Sequence, residues 1–137
     1  MKASIVMSID LRLLAYSAFI CILMWVPYIL LAIKTFGLFR VVGYPVPSYD
    51  GMPQWGQRLY RAHMNLVENL APFAALVIIA HITGTANETT ALGARLFFWA
   101  RLAQIVLHTA GIPWGRTIFF VIGWVGNILI FSQIIGY

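Results

Sequence analysis

Charge is what this sequence is short of. Asp, Glu, Lys and Arg make up 9% of its 137 residues, and only 4 of those are acidic. A soluble domain that is 61% apolar, with a mean hydropathy of +0.86, could not hide so much apolar surface behind so few charges. The single cysteine, Cys21, lies in an apolar run and carries no message about disulfides or metals. Its expected role is that of a small buried hydrophobe. His63, His81 and His108 are too dispersed for a metal site, and no Ser/His/Asp arrangement is visible. The net charge of +5 comes from basic residues scattered between apolar runs. They suit topology signals better than a phosphate-tracking patch, so no nucleic-acid partner is expected.

What the sequence has instead is long apolar runs. Leu13–Ile33 and Thr117–Tyr137 carry no charge, and at about 1.5 Å per residue each covers roughly the 30 Å hydrocarbon core. Two less pure runs, Tyr60–Thr83 and Ala94–Ala110, contain Glu68 and Arg101. A single short chain cannot close a barrel of strands, so the spans are expected to be helices. The fold class is therefore an all-α four-helix membrane bundle. It forms one domain over 1–137, with helices at about 11–36, 58–83, 93–111 and 116–136. The first run is too long for a signal core and no small-residue cleavage site follows it, which makes it a permanent span.

The longest loop, 34–59, holds Pro45, Pro47 and Pro53, while Gly84–Asn87 and Gly111–Gly115 make short breaks. Lys34, Arg40, Arg58 and Arg61 flank the first loop and Arg116 the third, against Lys2, Arg12 and Arg95 on the other side. The positive-inside rule then places loops one and three in the cytoplasm. The compact loops suit a bacterial inner membrane.

The second span carries a polar stripe. At about 100° per residue, Arg61, Asn65 and Glu68 share one narrow face, which Arg58 extends a turn earlier if the helix begins there. Pro72 follows on the same face and cannot donate to the carbonyl of Glu68, so a kink is expected. A carboxylate at this depth must face protein or water. It either pairs with Arg61 or Arg101 to hold helices together, or belongs to a binding site for a charged, peptide-like ligand. The third span repeats the pattern with Arg101, Gln104 and His108. Arg116 and Thr117 open the fourth, where free N–H groups and a partial positive charge suit a carboxylate or thiolate; an interfacial anchor is the plainer role for Arg116. Asn127 is expected to bridge helices, and Gly123 and Gly126 to let them approach closely.

These residues resemble a known family, the membrane-associated proteins in eicosanoid and glutathione metabolism (MAPEG). The likeness runs from about residue 10 to the end and is most specific over 61–76, RAHMNLVENLAPFAAL, with Arg116-Thr117 at the start of the last helix. The resemblance implies a homotrimer of four-helix subunits with glutathione bound between neighbours as co-substrate, and no metal. By that analogy Arg58, Arg61, Asn65, Glu68, Arg101, Gln104 and Thr117 hold the tripeptide, with Glu68 against its amino group. Arg116 favours the thiolate, and His108 stands where eicosanoid-making relatives carry an aromatic hydroxyl. Gln104 replaces a Tyr or His of relatives, and Phe120 offers no hydroxyl. The implied activity is a glutathione transferase or peroxidase acting on apolar electrophiles from the bilayer. The alternatives are a non-catalytic protein of the same fold that binds a lipid or another anion, and a small four-helix exporter. The exporter ranks last because its acid is expected on the first helix.

Overall fold

A computed structural model of the chain describes residues 7–136. Lys2, one of the charges weighed for orientation, and Tyr137, the expected end of the last span, lie outside the described residues. Among the described residues 4 helical segments are long and apolar enough to cross a membrane: Ile9–Phe36, Gln54–Ile82, Glu88–Ala110 and Pro113–Ile134. The chain is a multi-pass membrane protein built as an all-α four-helix bundle.

The first span is two helices, α1 (Ile9–Leu23) and α2 (Trp25–Phe36), parted at Met24, where a single helix over 11–36 was expected. Pro27 explains the break, since it has no N–H to give the carbonyl of Leu23. The Ser8 hydroxyl caps α1 by accepting from the Leu11 N–H at 3.4 Å, so the helix starts early and takes Asp10 into its first turn. The first helix does carry an acid, then, but one at its very end, buried and 3.2 Å from the Thr90 hydroxyl.

Loop one is more ordered than its prolines and glycines suggest. It contains a short helix, α3 (Leu38–Val42), and a 3-10 turn at Tyr49–Gly51. The Gln57 side-chain amide pins that turn to the next helix, donating to the carbonyls of Met52 at 2.7 Å and Asp50 at 3.2 Å. Helix α4 (Gln54–Ile82) begins at Gln54 rather than 58 and runs unbroken through Pro72. Helix α5 (Glu88–Ala110) begins at Glu88 rather than 93, because Asn87 caps it: its Oδ1 accepts from the N–H groups of Thr89 and Thr90. Helix α6 (Pro113–Ile134) starts with a proline at its first position. Only Gly111-Ile112 separates it from α5, and Gly111 ends α5 at φ 82°, a left-handed conformation that favours glycine.

Helix α5 is the centre of the bundle, packed against α1, α4 and α6. Its approach to α6 is backbone on backbone: a Cβ added to Gly93 would stand 2.5 Å from the carbonyl oxygen of Gly126. The core joins Leu13, Phe73, Val77, Ala94, Phe97 and Ile130 from all four spans, with the rings of Phe73 and Phe97 stacked at 3.9 Å. A second tie lies nearer loop one. His63 is buried, 2.7 Å from the Tyr28 hydroxyl through Nδ1 and 2.9 Å from the Cys21 carbonyl through Nε2. That carbonyl only accepts, so Nε2 carries a proton and donates, which locks α1, α2 and α4 together. Cys21 is half-buried rather than fully buried. The Oδ1 of Asn127 is buried without a hydrogen-bond partner among the described residues, so the expected bridge between helices is not made there.

Candidate functional site

Starting α4 at Gln54 puts Arg58 a full turn inside the helix, on the same face as Arg61. The link between α5 and α6 is so short that His108, in the last turn of α5, faces Arg116 near the start of α6 across 3.5 Å. These four side chains line a cavity of about 160 Å³ together with Gly111, Ile112 and Pro113. Asn65, Gln104, Thr117 and Phe120 line a second of about 180 Å³, again with His108 and Arg116. Both cavities share His108 and Arg116, so they adjoin one another as a two-part groove along the junction of α4, α5 and α6.

Arg58 and Arg116 are placed by their surroundings. Arg58 donates to Gln54 Oε1 at 3.1 Å and its guanidinium lies against Gly111, where a Cβ would stand 2.5 Å from its Nη1; glycine is needed there for φ, and its missing Cβ lets the guanidinium settle close. Arg116 has only donors, so its contact with His108 Nε2 engages that nitrogen's lone pair and leaves the ring proton on Nδ1. His108 Nδ1 is buried without a partner. The Thr117 hydroxyl donates to the Pro113 carbonyl at 3.2 Å, while Asn65 Oδ1 accepts from Asn69 at 3.0 Å. Among the described residues, none of Arg58, Arg61 and Arg116 has an acidic partner within 4.0 Å, and neither cavity has a carboxylate in its lining. Convergent guanidinium groups without a counter-charge repel one another and suit an anionic ligand.

Two expected site residues stand elsewhere. Glu68 is exposed on α4, about 10 Å farther along the helix axis than Arg61, and among the described residues its carboxylate pairs with neither Arg61 nor Arg101. Arg101 is 3% exposed and points into the bundle. It donates to Gln104 Oε1 at 2.6 Å and sits 5.1 Å and 4.9 Å from the ring centres of Phe97 and Phe120. Its Nε and Nη2 are buried without partners, beside Gly123, which leaves room for the guanidinium.

Beside the groove lies a feature with no counterpart in the sequence reading. Val46, Pro47, Ser48, Tyr49, Asp50, Gln57, Tyr60 and Arg61 line an open cavity of about 470 Å³. Tyr49 and Tyr60 meet edge-on at 4.8 Å. Burial, and after it the neighbouring Tyr60, push the Tyr49 hydroxyl above the ordinary tyrosine range, so at neutral pH it remains a neutral donor.

The geometry can be set beside known proteins. Over 69 aligned residues the chain is 30% identical to microsomal glutathione S-transferase 1 of Homo sapiens, and 32% identical to the protein of the same name from Bos taurus. Each match covers 50% of this chain and 44% of the relative, so the chain spans less than half the length of the curated relatives it matches. The model of the MAPEG family covers residues 13–136, which reaches into all four spans and takes in every residue of the groove. With that coverage, the chain belongs to the MAPEG family.

Proposed function

We propose that the protein is a membrane-bound glutathione-dependent transferase or peroxidase whose second substrate is an apolar electrophile drawn from the bilayer. The observation that carries this reading is the convergence of Arg58, Arg61, Arg116 and His108 on one cavity whose lining offers no carboxylate. Glutathione brings two carboxylates and an ionisable thiol, and the names of the matched relatives are those of glutathione transferases. Arg58 and Arg61 bind carboxylate, Asn65, Gln104 and Thr117 supply neutral polar contacts along the groove, and Arg116 stands beside the sulfur.

A free thiol has a pKa near 8.5, and each unit of lowering requires about 1.4 kcal/mol of preference for the thiolate. A guanidinium in the first turn of α6 supplies that order of energy when water is excluded. His108 orients Arg116 through Nε2 rather than serving as a base. In the transferase reaction the thiolate sulfur bonds to the electrophilic carbon while the bond to the leaving group breaks and its electron pair departs with that group. In the peroxidase reaction the sulfur attacks a hydroperoxide oxygen, the O–O bond breaks to release an alcohol, and a second glutathione reduces the sulfenic acid to water and disulfide.

Arg101 acts from beneath the groove by holding Gln104. Glu68 requires a neighbour: a carboxylate at membrane depth is too costly to leave against lipid, by about 2.5–3.5 kcal/mol on insertion scales, and it is exposed in the single subunit. A homotrimer that covers this face of α4 and lets Glu68 reach the tripeptide from beside it satisfies both conditions. The test is the thermal stability of the detergent-purified protein with and without reduced glutathione, an acidic tripeptide serving as control. At a hundred times the dissociation constant the ligand is expected to add about 2.7 kcal/mol. Arg61→Ala and Glu68→Gln are expected to lose that shift. No shift with wild type at millimolar glutathione overturns the reading and turns the search to lipid ligands.

A further inference from the structure

The end of the bundle opposite loop one holds an open cavity of about 570 Å³, where α1 and α5 begin. Asp10, Glu88 and Arg95 line it together with the two capping residues, Ser8 and Asn87. These three charges do not neutralise one another: among the described residues none has an ion-pair partner within 4.0 Å. Asp10 is only 4% exposed. Its Oδ2 accepts from the Thr90 hydroxyl at 3.2 Å, and among the described residues no donor reaches its Oδ1. A carboxylate buried this far is short of a cation. A lone cation leaves Arg95 unanswered, and a lone anion meets two acids. A ligand carrying both charges is matched at each end, provided its positive group can donate hydrogen bonds to carboxylate.

The surroundings of the cavity point to the bilayer as the source of such a ligand. It opens at the ends of two spans, Ile9–Phe36 and Glu88–Ala110, which is the level of the lipid headgroups. Deeper along the same two spans, Phe98 joins the rings of Tyr16 and Trp99, with centres 6.3 Å and 5.2 Å away. Tyr16 and Trp99 are 51% and 63% exposed, so this strip across α1 and α5 offers aromatic surface to hydrocarbon below the charges. We infer that the cavity binds the headgroup of a phospholipid with a primary ammonium, a phosphatidylethanolamine, in the leaflet opposite loop one. The ammonium donates to Asp10 and Glu88, the phosphate lies on Arg95, and an acyl chain runs along Tyr16, Phe98 and Trp99. Phosphatidylcholine fits less well because a quaternary ammonium has no N–H to give. Phosphatidylglycerol brings no cation for the two acids. The site is separate from the arginine groove and does not depend on glutathione.

The test is native mass spectrometry of the detergent-purified full chain, titrated in turn with the three lipids carrying identical acyl chains. Wild type is expected to bind phosphatidylethanolamine about tenfold more tightly than phosphatidylcholine, the worth of its charge-assisted hydrogen bonds. Asp10→Asn is expected to bring these two lipids level. Glu88→Gln, at an exposed position, is expected to narrow the preference about threefold; if Asp10→Asn does not fold, Glu88→Gln decides. Arg95→Gln is expected to weaken both lipids by a similar factor and leave their ratio unchanged, because the phosphate is common to both. Wild type that does not distinguish the two lipids overturns the inference. So does a preference that the folded acid variants keep in full, or an affinity for phosphatidylethanolamine that Arg95→Gln leaves untouched. Displacement of the lipid by an equal concentration of glycerophosphoethanolamine, the same headgroup without acyl chains, overturns it in favour of a soluble amine.

Discussion

The two ends of this bundle treat their polar residues in opposite ways. At the end where α1 and α5 begin, the polar groups satisfy one another. Asn87 caps α5 and also donates through its side chain to Gln133 of α6 at 2.7 Å. Thr90, fully buried, accepts from the Asn87 N–H at 2.8 Å and reaches Asp10 of α1. At the other end, Arg58, Arg61 and Arg116 gather without an acid among them. Space does not make the difference, because the first end also holds a cavity, of about 570 Å³, lined by Ser8, Asp10, Asn87, Glu88 and Arg95 among others. There the lining mixes acids with a base and the buried groups are already bonded. Satisfied polar groups hold helices in register, whereas cations left without a counter-charge carry a repulsive strain that a bound anion relieves.

The contrast can be broken by substitutions on either side. The largest effect is expected from Arg116→Ala, which removes the cation at the helix start: turnover with glutathione falls about 100-fold or more, the melting temperature barely moves, and the ultraviolet absorbance of bound thiolate disappears. Retained turnover would reduce Arg116 to an interfacial anchor. Next comes Asn87→Ala at the other end, expected to remove about 1 kcal/mol of stability as a lost helix cap while the affinity for glutathione stays as in wild type. A fall in affinity would show that the two ends are not independent. Arg58→Ala is expected to weaken glutathione about threefold to tenfold, one charge-assisted contact, and to leave stability unchanged or slightly improved, since it relieves repulsion. The smallest effect is from salt. Raising ionic strength from about 0.1 M to 1 M shortens the screening length from about 10 Å to 3 Å, which is expected to weaken glutathione binding modestly and leave the capped end's contribution to stability alone.

Four spans could be read from the sequence because apolar runs of membrane length leave little choice of structure. Where helices begin was harder to see. Residues 88–92 are polar enough to pass for loop until Asn87 is recognised as a cap, and Gln54 precedes any apolar run. The groove was partly visible for the same reason as the spans: spacing of three and four residues puts Arg58, Arg61 and Asn65 on one side of α4, and Gln104 and His108 on one side of α5. Spacing alone does not say which way a side faces or how far along the axis the groove extends. Arg101 shares the side of Gln104 and His108, but lies deeper and turns inward onto Phe97 and Phe120. Glu68 shares the side of Arg61 but falls beyond the groove. Loop one gave no signal at all, since its shape depends on Gln57 reaching back to Asp50 and Met52 and on tyrosines far apart in sequence, Tyr28, Tyr49 and Tyr60, meeting edge-on.

The two-residue link between α5 and α6 also bears on how the protein is made. His108 and Arg116 are 8 residues apart, and the Gly93–Gly126 contact forms between the same two helices. A helical hairpin of this kind needs only local chain closure, the fastest sort of assembly step. Much of the lining, Gln104, His108, Arg116 and Thr117, therefore comes from this one hairpin. Helix α4, which comes earlier in the chain, supplies the other wall by packing Arg58 against Gly111.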